Sequence, residues 1–550
     1  MRRAAITLVV AATVSSAQER PTPPDRRALV PPRDSIVKVL PTIDLPEYVI
    51  TGLSSIDLPH FEKRFDDAGP VGGVLVGPAP AFRDPATGPA PGSGLKGGPS
   101  IASAAGIQAH VRAGMGSYRM PQLEASVRSS IDAITLGAQG HYRRSSGFAP
   151  ETGWSEGGAG ASATLPINLV SSGVSNSSLS GDLGFESRSY HWYGTSSPSD
   201  RRTLSMVDGG LAARGWLSGW NGAISLRFGS VSVDDTSSSV SEATTRVAAG
   251  VNGEIGGVPL IASMEVRSSS RSVSSVASSG LSSLKVESRW QSLPSVLVSG
   301  GLGIAYLQGD GGQSRVAVFP SVRVQLAIDD RHRLAGAFEP RALGITLMSS
   351  QSVHRFLDAR THIRQTAWTN SGRFGLESDW TSEVRTRVEL EAGKGRDLAM
   401  IADTSGRGVA QWMYSDASYA ALRAECVAKM RGNDYFSATI ILRSSRNEAS
   451  GLSIPYWPRG EARVSYLTEV MRGLKLLGSV QVVGARESQW AVPASSLPGY
   501  ATVDVSGRYA VTSSLAVWLE ATNLSNAVYQ HWKGIQEPPF RLSAGIALAW

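Results

Sequence analysis

Along most of the chain, apolar and polar side chains take turns. Ile107, Ala109, Val111, Ala113 and Met115 fall on one face of an extended segment, and Gln108, His110 and Arg112 on the other. Leu123, Ala125 and Val127 oppose Gln122, Glu124, Ser126 and Arg128. Val316, Val318, Val322, Val324, Leu326 and Ile328 oppose Arg315, Ser321, Arg323, Gln325 and Asp329, while Val384, Val388 and Leu390 oppose Arg385, Arg387, Glu389 and Glu391. Successive strand side chains point to opposite faces, so each segment has an oily side and a wet side. A soluble sandwich alternates too. Here the segments run to about ten residues or more, the length a tilted strand needs to cross a bilayer, against about five or six in soluble strands. The pattern predicts an all-β chain of membrane-crossing antiparallel strands.

Connection lengths give the same answer. Short turns are expected at Leu217–Gly219, Gly256-Gly257, Asp329-Asp330, Thr381-Ser382, Arg431–Asn433 and Thr512–Ser514. Longer polar connections are expected at Ser268–Ser283, Ser349–Arg360, Lys394–Asp416, Ser444–Gly460 and Glu487–Pro498. Short periplasmic turns and long external loops mark an outer-membrane barrel, and the count comes to about 22 strands with both chain ends periplasmic. Trp216, Trp220 and Trp380 sit near segment ends, where interfacial girdles place aromatics.

The start of the chain is of another kind. Met1-Arg2-Arg3, the apolar run Ala4–Val14 and Ser15-Ser16-Ala17 read as a secretory signal peptide cleaved after Ala17. Residues 18–100 are rich in Pro and Gly, as in Pro21-Thr22-Pro23-Pro24 and Gly88-Pro89-Ala90-Pro91-Gly92, and read as an extended, partly disordered periplasmic arm. The barrel is expected over 101–550.

The last fifty residues are the most specific. Tyr500–Tyr509 alternates, Thr512–Ser514 turns, and Leu515–Ala521 continues into Asn523-Leu524-Ser525-Asn526, Tyr529 and Trp532. In the final strand Phe540, Leu542, Ile546, Leu548 and Trp550 share one face. A terminal strand ending on an aromatic looks like the signal read by the barrel assembly machinery, carried here by Phe540, Leu548 and Trp550. The block resembles the C-terminus of TonB-dependent receptors of Gram-negative outer membranes, in which an Asn-Leu-x-Asn-like turn and a downstream Tyr precede the last strand. The resemblance implies a wide transport barrel in outer-membrane lipid. Such receptors carry an N-terminal plug of on the order of 130 to 150 residues in the lumen, longer than the arm here. The resemblance also gives Pro46–Gly52 two readings. Glu47, Tyr48, Val49, Ile50 and Thr51 form either a strand that pairs with TonB by edge addition or a β-favouring heptapeptide.

Charge and composition narrow the function. The net charge of +7 is dispersed among acids along the whole chain, which argues against nucleic-acid binding. The single thiol, Cys426, rules out an internal disulfide and lies on the apolar face of its strand. No His pairing at metal-ligand spacing, Gly-x-Ser-x-Gly elbow or phosphate loop occurs, so neither enzyme activity nor a cofactor is expected. Arg112, Arg128, Arg315, Arg323, Arg385, Arg387, Glu389 and Glu391 take the polar side of their segments. On a lipid face Arg would cost about 2 to 4 kcal/mol at mid-bilayer, so these side chains are expected in the lumen. There they form either a stiffening ion-pair network or a cationic path for an anionic solute. The reading is passage or uptake of a solute across the outer membrane, with the arm, external loops, TonB, or a separate plug or lipoprotein as closing or energising partners. The alternative is a non-transporting docking barrel in an envelope complex.

Overall fold

The computed structural model describes residues 107–550 except 132, 170–173, 194, 196, 218, 237, 274–275, 355, 404–408, 431–433 and 490–494. The signal peptide 1–17, the arm 18–100 and the Glu47–Thr51 segment lie outside the described residues. Each long strand pairs antiparallel with the next, from Ile107–Gly116 to Arg541–Ala549. The last strand then pairs with the first, from His110↔Ala549 to Gly116↔Ser543, and closes the barrel. One position is shared by two short strands, His332–Phe338 and Arg341–Leu343, so the barrel has 22 strands. Closure removes the edges that would otherwise leave backbone groups unpaired in lipid.

The alternation explains the wall. Ile107, Met115, Leu123, Val127, Val388, Leu390, Ile546 and Leu548 are all exposed on the outer surface, as a lipid-facing band requires. Exposed Trp216, Trp290, Trp380 and Trp550 border this band at the end with short turns, and exposed Tyr142, Tyr306 and Phe540 lie toward the opposite end. At the turn end Gly256 and Gly257, with φ of 59° and 79°, join Ile255 to Val258 in a two-residue hairpin.

The strands run further than the band needs. Val384–Ala402 and Gln411–Lys429 have 19 residues each, against about ten for a crossing. The connections expected at Lys394–Asp416 and Ser444–Gly460 therefore shrink to 403–410 and 448–459. That expected at Ser268–Ser283 is mostly paired strand, in register from Ser268↔Gly280 to Ser272↔Val276. The polar outer faces there resemble loops in sequence, but they are strand continuing beyond the apolar band. On Val258–Ser272 the outer face changes from Met264 and Val266 to exposed Ser268, Ser270 and Ser272.

Beyond the band the apolar set also changes sides. On Trp220–Asp235, Ile224, Leu226 and Phe228 face outward, but Val231 and Val233 are buried on the inner face while Ser230, Ser232 and Asp234 take the outer one. A step of odd length moves side chains to the other face of a strand without any bulge. Leu204, Met206 and Val240 are buried on the inner face of neighbouring strands in the same way. The barrel therefore has an apolar interior at the loop end, and the main hydrophobic core is there.

One place in the wall departs from a continuous ladder. Ser314–Ala327 pairs with His332–Phe338 only up to Val322↔Phe338. The same register would next set Pro320 opposite Pro340, and neither has an N–H to donate. Beyond this break Arg341–Leu343 remains paired only with Thr366–Trp368, and Ala342 packs near Leu281, Ala305 and Phe319 on the inner face of the wall.

Candidate functional site: the inward loop and the lumen beneath it

The segment 344–365 leads from this break into the interior. Its helix, Leu347–Val353, starts at Thr346, whose side chain accepts from the Ser349 N–H, with the reciprocal Ser349 contact completing a capping box. Leu347, Phe356, Leu357 and Ile363 are essentially fully buried. They share one core with Tyr190, Leu204, Val231, Val233 and Val240 of the wall and with Tyr456, Leu497, Trp532 and Ile535 from three other loops. The four wall strands are neighbours of one another, but the loops come from other parts of the barrel, so the core bridges its mouth. Phe356 is the hub, with Tyr190, Trp192 and Tyr193 edge-on at centroid distances of 5.5, 6.2 and 5.7 Å.

Three charged side chains of the wall hold this segment. Arg202, fully buried, pairs with Asp235 at 2.6 Å and donates to the Leu357 carbonyl at 2.6 Å and to Gln351 at 3.2 Å. The Glu242 carboxylate accepts from the Leu347 N–H at 2.9 Å, a negative charge at the start of the helix. Arg271 pairs with Asp310 and donates to the carbonyls of Ala359 and Thr361 at 3.0 and 2.6 Å. Asp310 also accepts from the Ile363 N–H at 2.8 Å. A loop inside a barrel must satisfy its backbone without water, and these side chains do so. Removing one partner of such a buried pair costs about 3 to 5 kcal/mol, because the other charge is left unmatched.

Other loops contribute buried polar groups around this core. Burial pushes the Tyr456 hydroxyl well above its usual range. Burial also lowers the pKa of Arg486, which donates to the Gln530 carbonyl. The Asn523-Leu524-Ser525-Asn526 turn is built by its asparagines. Both adopt positive φ, 52° and 49°, and Asn523 exchanges two hydrogen bonds with Ala527, each 2.9 Å. Tyr529 stacks on Tyr500 at 4.0 Å.

The sequence-derived charges lie on the wall face opposite the apolar band, spread around the barrel rather than gathered. Arg112 pairs with Glu520 and covers the Trp518 ring at 4.0 Å. Arg315 reaches Asp397 at 2.6 Å, Arg323 reaches Glu339 at 2.6 Å, Arg385 reaches Asp379 at 2.6 Å, and Arg387 reaches Glu389 at 2.7 Å. Glu389 and Glu391 are buried, the latter accepting from the Tyr419 hydroxyl. Arg128 is exposed and has no ion pair among the described residues. Most of these groups fit the ion-pair network. Phe540, Leu548 and Trp550 are exposed on the outer surface, Trp550 bonded through its backbone to Ala109.

Nothing in the sequence sets Arg202, Glu242 and Arg271 apart, although the apolar Phe356 and Leu357 inside the otherwise polar connection Ser349–Arg360 are a legible sign of burial. Beneath the loop lies a cavity of about 650 Å³ lined by Arg246, Lys285, Phe319, Arg341, Arg373 and Glu391, among others. Small side chains at Ala212, Ala223, Ala248, Gly250 and Gly303 leave this space open.

No family model and no curated protein matches the chain. Solved structures do. The copper transporter OprC aligns with a TM-score of 0.64 at 12% identity, covering 81% of each chain. The FrpB iron transporter from Neisseria meningitidis aligns with a TM-score of 0.65 at 10% identity over 82% of each. The ferric-catecholate import receptor Fiu from K12 E. coli aligns with a TM-score of 0.63 at 9% identity, covering 81% of this chain and 82% of its own. At these identities the likeness is one of fold.

Proposed function

We propose that this chain, whose barrel has the fold of TonB-dependent receptors, carries a solute across the outer membrane through a lumen closed by its own segment 344–365. Short turns mark the periplasmic end of such barrels and long loops the outer end. The arm 18–100 then starts from the periplasm, where TonB, a separate plug or a lipoprotein would meet it. The barrel assembly machinery and outer-membrane lipid are the partners its last strand calls for.

The observation that carries this reading is the clamped loop above a cavity. The loop is held by these side chains and by a few backbone bonds, Phe356 and Asp358 to Ala410 and Ile363 to Asp310, with one isolated bridge and no continuous β-ladder, so it can leave without breaking a wall strand. Arg202, Glu242 and Arg271 act as latches, and the cavity below is a waiting chamber on the path. The full chain reconstituted in planar bilayers should be closed most of the time, and Arg271→Ala should open often. A folded Arg271→Ala barrel that never conducts would instead favour a docking role.

A further inference from the structure

We propose that the cavity beneath the loop binds an anionic amphiphile, a carboxylate or phosphate head on Arg341 with an apolar body against Phe319 at the break in the wall. Arg341 is the first residue after Pro340, and its Nε and Nη2 are buried without a hydrogen-bond partner. The carboxylates that line the same cavity take their hydrogen bonds from other partners, and Glu391 and Glu339 reach Arg341 only through their charge. Glu265 is held by Arg246 and Arg267 at 2.8 and 2.9 Å, and Glu339 by Arg323 and Arg373 at 2.6 and 3.0 Å. Glu391 accepts from Tyr419. Lys285 is paired with Glu287 at 2.6 Å. Arg341 is thus a cation with two donors to spare, in a chamber that four further cations line. A carboxylate or phosphate supplies the acceptors that a guanidinium fork lacks.

The apolar half follows from the break. Both of its edges line the cavity, Phe319 on one side and Pro340, Arg341 and Ala342 on the other. Phe319 packs with Leu281, Ala305 and Leu307, and its chain neighbour Val318 is 58% exposed on the lipid side. Phe319 is largely covered already, so what a small hydrophilic anion would leave uncovered is the rest of the cavity's apolar lining, among it Ala212, Ala223, Ala248 and Ala337, and an acyl chain covers it. The head-and-tail chemistry could come from a solute in the lumen or from a lipid entering at the break. The proposal deepens the reading of the lumen as a solute path, and binding is measured without flux so that either can fail alone.

The test uses the full chain held in amphipol, with 11-(dansylamino)undecanoate as the fluorescent probe. Saturable binding is expected, with laurate displacing the probe at least about tenfold better than dodecanol, acetate or inorganic phosphate. Arg341→Gln should weaken laurate binding about tenfold or more, with Arg341→Lys recovering part of it. Unchanged heat-modifiable mobility on gels shows that each variant is folded. Phe319→Ser, a second and independent variant, should lower affinity for laurate without changing that for phosphate. Displacement by phosphatidylglycerol nanodiscs would assign the membrane as the source and its absence the lumen, and both support the ligand class. Absence of saturable binding, equal displacement by dodecanol or phosphate, or laurate affinity unchanged in folded Arg341→Gln would overturn the proposal.

Discussion

Gly114 and Gly545 face each other across the closing seam, and one indole, that of Trp518 on the next strand, lies against both. A Cβ added to Gly114 would lie 2.3 Å from the Trp518 ring, and one added to Gly545 would lie 2.6 Å from that ring and 2.0 Å from the Ala113 carbonyl oxygen. Trp518 in turn carries the Arg112 guanidinium that bonds Glu520. Gly545→Ala is therefore expected to destabilise the seam by about 1 to 3 kcal/mol, as overpacking does, lowering the temperature at which the compact gel band disappears. Trp518→Ala should not rescue it, since the backbone clash remains. An unchanged melting temperature would show that the seam relaxes freely. Inside the mouth, Phe356→Ala removes the hub of the aromatic cluster. A buried Phe→Ala change costs about 3 to 5 kcal/mol, here charged to the loop and not to the wall. Protease cleavage within 344–365 should accelerate while the barrel band keeps its heat-modifiable mobility.

At the scale of elements, the last strand gives the firmest expectation for assembly. Leu548 and Trp550 are exposed on the outer, apolar face of that strand, so replacing both with Asp should leave the chain in the periplasm and degraded. Normal surface display of that variant would remove the assembly role from these residues. Strand existence and facing were legible because one alternating period governs the lipid band, from Ile107 to Trp550. What the sequence obscured has one physical source. Beyond the lipid the solvent side becomes the outer one, so Ser268, Ser270 and Ser272 resemble a loop while belonging to a strand. The same inversion hid Val231 and Val233 as parts of a core inside the barrel. Arg202, Glu242 and Arg271 could not be told from the other lumen charges, because their partners are backbone groups of a distant loop. The wall break was written in Pro320 and Pro340, but only the pairing register sets them opposite each other.

For the whole molecule, the question is what closes a barrel this wide. The sequence offered the arm and the long loops, and the structure places one loop core across the mouth. Closure by that core and closure by the arm make different predictions when each is removed separately. Replacing 345–364 by a short Gly-Ser linker removes Leu347, Phe356, Leu357 and Ile363 together with every backbone group that Arg202, Glu242 and Arg271 satisfy. The wall ladder from Ile107 to Ala549 does not depend on that segment, so the variant should still assemble and migrate as a compact band. If the core is the seal, its single-channel conductance should rise sharply, and deleting 18–100 alone should change little. If the arm also obstructs the path, only the double deletion should reach the conductance of an open 22-stranded pore, with each single deletion partial. Val49→Pro separates energised release from simple obstruction. Proline removes a donor that strand addition to TonB needs, so uptake in cells should fail while the reconstituted conductance of the loop-deleted barrel stays as it was. Loss of both would mean that Val49 acts on the pore itself. A double-deleted barrel that remains closed would locate the seal in the loops around Tyr456, Leu497 and Trp532, which complete the same core from the far side of the mouth.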